Sequence, residues 1–323
     1  MFSVMKPAAV WVGCSGETLI ANFAVDIFFT AARNKRGWGA SGLSNSLDSM
    51  TGQPVCPLPT QRRDSMMNTF KLRSLFAAVA LAFAAVGSVN AAPAPVHNIV
   101  LVHGAFVNGA GWKPVYDILV KDGYHVSIAA HPLTSFGDDV MAVKRILAMQ
   151  DGPTILVGHS YGGAVISNAG TDAHVAGLVY IAAHALDVGE TEAANGKLYP
   201  NATKAVKKTD DGFLYLDPAF YPADFAADLP KAQAEFEANA QFLTAASVFT
   251  TPATVAAWKT KPSWYAVAQA DRIINPDLER MYAKRAHSQT IEIAGASHSV
   301  YESHPKEVAG LIEQAAQHAL DKQ

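Results

Sequence analysis

Gly158-His159-Ser160-Tyr161-Gly162 fits the pattern Gly-x-Ser-x-Gly. Such a pentapeptide arises by chance in roughly one chain in ten of this length, so its setting decides its meaning. An apolar run, Thr154 to Val157, leads straight into it, and the small residues Gly162-Gly163-Ala164 leave it at helical character. A serine nucleophile needs that arrangement. Its hydroxyl must stand on a sharp strand-to-helix turn, and positions 158 and 162 must lack bulk because strand and helix pass closely there.

A serine hydroxyl is a weak nucleophile at neutral pH and needs a general base. Of the eleven histidines, His298 is the best placed, in the small-residue stretch Ala294-Gly295-Ala296-Ser297 that follows an apolar run. His159 is expected to point away from the serine, His103 to serve its loop, and His184 to line a pocket. The base needs an orienting carboxylate. Asp271, at the end of Ala268-Gln269-Ala270, is favoured, with Asp187 as the rival position. Asp277 reads instead as a first-turn helix residue. A tetrahedral intermediate needs two backbone donors. The N–H of Tyr161 is one, and the other comes from His103-Gly104-Ala105-Phe106, with Ala105 preferred over Phe106.

The elements around these residues alternate. Short β-branched runs at 98–103, 124–129, 153–158, 175–182, 263–269 and 290–293 read as buried strands. Segments 112–121, 138–149, 161–169, 276–286 and 305–319 carry apolar residues at helical spacing. Strands separated by helices imply an α/β fold with a mostly parallel sheet of about six strands, covered on both faces. Residues 187 to 260 break the alternation. They show no clear strand, are rich in Ala and carry scattered aromatics, among them Tyr199, Phe225, Phe249 and Trp258. A connection of that length is expected to be a helical cap over the C-terminal edge of the sheet, where open α/β sheets bind ligands.

Together these segments resemble the α/β-hydrolase superfamily across nearly all of residues 92–323, and most closely its small-cap branch of carboxylesterases, methylesterases and hydroxynitrile lyases. The resemblance rests on Leu101-Val102-His103-Gly104-Ala105-Phe106, Gly158 to Gly163, Ala270-Asp271-Arg272 and Gly295-Ala296-Ser297-His298. It implies Ser160 as nucleophile, His298 as base, Asp271 as acid, Ala105 and Tyr161 as oxyanion donors, and a reaction without cofactor or metal. The lyases carry a threonine where this chain has Gly104 and a lysine where it has Ser299, so both departures favour ester hydrolysis. The expectation is a serine esterase acting through an acyl-enzyme on a small, mainly apolar ester, with Phe106 and His184 against the substrate. Cyanohydrin cleavage, acyl transfer, and binding without catalysis remain alternatives on the same residues.

Composition agrees with an enzyme of this kind. The chain has 323 residues, half of them apolar and 16% charged, with net charge −3. That balance gives no reason to expect nucleic acid or an anionic membrane as partner. Residues 66–91 read as a signal peptide: Lys71 and Arg73, then an apolar run from Leu75 to Val86, then Val89-Asn90-Ala91. The run is too short to span a bilayer. Cleavage there would give a periplasmic or secreted protein without Cys14 or Cys56, hence without disulfides. Residues 1–65 read as a non-native or disordered extension ahead of Met66 or Met67.

Overall fold

The computed structural model describes residues 95–322, so the expected signal peptide and the extension before it lie outside the described residues. The first strand, β1 (Asn98–Val102), is followed by a short 3-10 turn and helix α1 (Lys113–Lys121). Then come β2 (His125–Ala129), α2 (Phe136–Leu147), β3 (Thr154–His159), α3 (Tyr161–Ala169) and β4 (Val175–Ile181). The cap contains α4 (Glu192–Leu198), β5 (Val206–Lys208), β6 (Phe213–Leu216), α5 (Tyr221–Asp224), α6 (Lys231–Asn239) and β7 (Thr244–Ala245). After it follow β8 (Ser263–Ala268), α7 (Pro276–Arg285), β9 (Gln289–Ile293), α8 (Val300–Ser303) and α9 (Pro305–His318).

Six strands form one sheet in the order β2-β1-β3-β4-β8-β9. Every pairing in it is parallel. β1, β3, β4 and β8 are buried at every position, because helices cover both faces. Alternate side chains feed two separate cores. Val100, Leu156, Leu178 and Tyr265 meet α2, α3 and α7 on one face. Ile99, Val157, Val179 and Trp264 meet α1 and α9 on the other. Each fully buried aliphatic side chain contributes about 1.5–3 kcal/mol. The edge strands β2 and β9 are part-exposed, as the run of His, Ser, Gln, Thr and Glu in them requires.

The chain leaves β1 for β2 and returns across β1 to form β3. Helices therefore diverge between β1 and β3, and a crevice opens at the carboxyl ends of these two strands. The loop after β1 carries Gly104-Ala105-Phe106, and the turn after β3 carries Ser160. The topology thus brings together two segments more than 50 residues apart in sequence.

The cap differs from its expected helical character. It holds a three-stranded antiparallel sheet, β5-β6-β7, besides its helices. Its strands have three, four and two residues, too short for a period-two pattern to show. The Asp211-Gly212 pair that turns β5 into β6, with Gly212 at φ +95°, is a hairpin signal. Among the described residues no helix is long and apolar enough to cross a membrane.

Candidate active site

Ser160 sits between the end of β3 and the first residue of α3 at φ +53°, ψ −125°. A non-glycine residue there is strained by about 1–3 kcal/mol, and the surroundings must hold it. They do so through three backbone bonds. The Ser160 N–H donates to the carbonyl of Ile181 at 3.2 Å, and the Ser160 carbonyl accepts from Gly163 at 2.9 Å and His184 at 3.1 Å. The flanking glycines permit the turn. A Cβ on Gly158 would lie 2.6 Å from the Gly162 carbonyl oxygen, and one on Gly162 would lie 2.6 Å from the His103 carbonyl oxygen. The start of α3 therefore rests directly on the end of β1.

His298 and Asp271 reach the same edge from the loops after β9 and β8. The Ser160 hydroxyl donates to His298 Nε2 at 2.9 Å, and His298 Nδ1 donates to Asp271 Oδ2 at 2.5 Å. A carboxylate that only accepts fixes the ring hydrogen on Nδ1 and leaves Nε2 free to take a proton. Asp271 Oδ1 accepts the N–H groups of Ile273 at 2.7 Å and Ile274 at 2.9 Å, so both carboxylate oxygens are held. The His298 and Asp271 side chains are fully buried, and Ser160 is 6% exposed. The rival Asp187 lies elsewhere, 2.5 Å from Lys259 Nζ, and Asp277 pairs with Arg280 in the first turn of α7.

Other histidines lie nearby. His159 is fully buried, and its Nε2 donates to the backbone carbonyl of His298 at 2.9 Å. Burial, then the neighbouring His298 ring, lowers it well below the ordinary histidine range, so it is a neutral strut under the base. His103 stacks on His131 at 3.8 Å, and burial drops it to about 3. His184 opens onto the cavity above Ser160.

Two backbone N–H groups beside Ser160, those of Ala105 and Tyr161, have no acceptor among the described residues. Phe106, the alternative donor, is already engaged: its N–H donates to Thr244 Oγ1 of the cap at 3.0 Å. Tyr161 opens α3, where backbone donors and helix dipole both favour negative charge. The arrangement can activate a serine, stabilise an oxyanion and return a proton to a leaving group.

Above Ser160 lies a cavity of about 740 Å³ between sheet edge and cap. Its walls are mainly apolar, with Phe106, Tyr199, Leu214, Leu216, Phe249 and Leu278 among them. Of the cap aromatics, Tyr199 and Phe249 face this cavity. Phe225 instead packs edge-on against His298 at 4.7 Å, and Tyr221 stacks behind it.

Three residues of the site were not visible from sequence. Thr244 anchors the loop after β1 across 138 residues of chain. Glu279 of α7 is fully buried, with Oε2 accepting the Ala268 N–H at 3.1 Å. Burial, then the Asp271 charge, pushes its carboxyl well above the usual range. Glu192 of α4 lines the cavity itself. None carries a motif; each is marked only by where the fold puts it.

A doubly covered parallel sheet with a strained serine at the β3–α3 turn, facing a histidine and an aspartate from later loops, defines the α/β-hydrolase class. The chain belongs to that family: the alpha/beta hydrolase family model matches residues 99–311. It is 26% identical to the alpha/beta hydrolase nvfD of Aspergillus novofumigatus (strain IBT 16806) over 249 residues, 69% of this chain and 98% of that one. The pyrethroid hydrolase of Sphingobium faniae JZ-2 is similar at 26% identity and TM-score 0.59, over 68% of this chain and 97% of that one. Polyneuridine aldehyde esterase has the same fold, with TM-score 0.59 at 15% identity, over 68% and 98% of the two chains.

Proposed function

We propose that the protein hydrolyses carboxylic esters of mainly apolar character through an acyl-enzyme on Ser160. The observation that carries this reading is the chain from Ser160 to His298 to Asp271, at 2.9 and 2.5 Å. Ser160 Oγ attacks the ester carbonyl carbon as its proton passes to His298 Nε2. Asp271 stabilises the imidazolium, and the N–H groups of Ala105 and Tyr161 hold the oxyanion. His298 then gives the proton to the departing alcohol. Water, deprotonated by the same ring, attacks the acyl-enzyme and releases the acid.

The likeness to a pyrethroid hydrolase supports hydrolysis, and the apolar cavity wall supports an apolar substrate. Cyanohydrin cleavage fits less well. Ser299, where the resembling lyases carry lysine, is fully buried, and its N–H donates to the Phe225 carbonyl at 3.0 Å. Phe106 and His184 lie in the cavity wall and are the proposed substrate contacts. A short-chain p-nitrophenyl ester tests the reading. The wild type should turn it over, and Ser160→Ala should lose about five to six orders of magnitude in kcat with an unchanged unfolding midpoint. Activity retained in that variant would refute the assignment.

A further inference from the structure

Asp139 and His131 are buried polar residues with no step of their own in ester hydrolysis. Asp139 lies in the first turn of α2, and His131 lies in the loop after β2. Burying a carboxyl group or an imidazole costs free energy unless its hydrogen bonds are made, so the groups they hold decide their use. The carboxyl group of Asp139 accepts from the Tyr161 hydroxyl at 2.6 Å through Oδ2, and from the Leu133 N–H at 2.8 Å through Oδ1. Tyr161 is the residue whose backbone N–H is one of the two oxyanion donors.

His131 holds the segment of the other donor. Its Nε2 lies 2.9 Å from the His103 carbonyl oxygen, and a carbonyl has no hydrogen to give, so Nε2 is the donor. The His131 backbone N–H donates to His103 Nε2 at 3.4 Å, and the two rings stack at 3.8 Å. His103 Nδ1 in turn donates to the Gly104 carbonyl at 2.9 Å. His103 and Gly104 lead directly into Ala105, the second oxyanion donor. The loop between the two bridgeheads is itself pinned. Leu133, two residues after His131, sits at φ +58°, a conformation that costs free energy in a residue with a side chain. Its N–H bond to Asp139 holds it there, as does its carbonyl, which accepts the Ala245 N–H of β7 at 2.8 Å. The path therefore runs without a break from the first side chain of α3, through Asp139 and the loop after β2, to the His103 carbonyl.

We propose that Asp139 and His131 are positioning residues that set the spacing between the N–H groups of Ala105 and Tyr161. More than 50 residues of chain separate these two donors. Their segments touch closely, since a Cβ on Gly104 would lie 2.8 Å from the Ser160 Cβ. Contact of that kind stops the segments from approaching further but does not stop them from parting. The hydrogen-bonded bridge does, and an oxyanion then meets two donors whose separation is already set. This inference rests on the ester-hydrolase reading and deepens it by naming what holds the oxyanion site in shape.

The test uses Tyr161→Phe and His131→Phe, each of which removes one hydrogen bond of the bridge and keeps a ring in place. On a p-nitrophenyl ester each should lower kcat about 10- to 100-fold. Acylation and deacylation both pass through an oxyanion, so both slow together and KM should stay within about threefold. His131→Gln keeps an N–H donor for the His103 carbonyl and should recover most of the loss. Affinity for a trifluoromethyl ketone, which forms a tetrahedral adduct on Ser160, should fall by the same factor as kcat. An unchanged kcat in both phenylalanine variants overturns the proposal. So does a lower unfolding midpoint with ketone affinity intact, because the bridge would then serve the fold alone. If the wild type hydrolyses no ester, the ester reading falls by itself, and the rate at which a fluorophosphonate modifies Ser160 still decides the role of the bridge. The phosphoryl oxygen takes the place of the oxyanion, so slower modification in both phenylalanine variants supports the proposal and an unchanged rate overturns it.

Discussion

At the sheet edge, Asp271 receives three N–H groups, from His298, Ile273 and Ile274, all at 2.5–2.9 Å. At the boundary with the cap, Glu192 Oε2 lies 3.4 Å from one ring nitrogen, and its Oε1 has no hydrogen-bond partner among the described residues. Both carboxyl groups are buried beside a histidine. The first can only accept, which suits it to orient His298 and to steady a positive ring. The second is short of donors, and burial raises its carboxyl well above the usual range. Donor count, rather than residue type or burial, separates a carboxylate held in its charged form from a buried carboxyl without that support. The sheet edge supplies donors because the loop after β8 turns back and brings the Ile273 and Ile274 N–H groups onto Asp271.

An amide swap at each carboxyl should separate the two groups most sharply. Asp271→Asn should lower kcat/KM by about 10⁴-fold, since the amide can present a donor to Nδ1 and leave the wrong ring nitrogen protonated. Glu192→Gln should cost no more than about tenfold. Steady-state kinetics on one ester measure both, and equal losses would erase the distinction. The next effect lies in the turn. Gly162→Ala places a methyl 2.6 Å from the His103 carbonyl oxygen. It should lower kcat about 100-fold by displacing Ser160 relative to the loop after β1, and destabilise the fold by about 1–3 kcal/mol, read as a lower unfolding midpoint.

Most of the sheet edge was legible in the sequence. Central parallel strands are buried on both faces and so appear as continuous β-branched runs, and Gly158 and Gly162 are demanded by a close approach. Asp271 and His298 were read at strand ends, and the order Ser160, Asp271, His298 is the one this fold uses. The cap was legible only as an interruption. Its strands are too short for a period, and its aromatics divide between cavity wall (Phe249) and support for His298 (Phe225) in a way only coordinates show. Thr244 gains its role from a contact 138 residues away, Glu192 and Glu279 from burial that only the folded elements create, and as residue types in their local segments all three look ordinary.

Thr244 ties the loop after β1 to the cap. Thr244→Val removes the acceptor for the buried Phe106 N–H, at a cost of about 1–3 kcal/mol. A several-fold loss of kcat should accompany it, because the loop carrying Ala105 loses its anchor. Unfolding midpoints and kinetics report both. The smallest effect concerns the clamp at the base of the cap. Burial opposes ionisation of Glu190, but Arg285, the Asp187 N–H and Asn195 outweigh it and hold the carboxyl at about 2 against an ordinary 4.5. The folded value is the lower one. Its stabilisation is therefore present above pH 4.5 and is lost as pH falls toward 2. Arg285→Met should flatten the dependence of unfolding midpoint on pH across that window, by an amount kept small because the pair is part-exposed.

The most direct measurement is the mass of the protein after brief mixing with a slowly deacylating ester or a fluorophosphonate, followed by peptide mapping. One covalent adduct is expected, on Ser160, formed far more slowly when His298 is replaced by alanine. An adduct on another residue, or ester turnover at the wild-type rate with Ser160 unmodified, would contradict it.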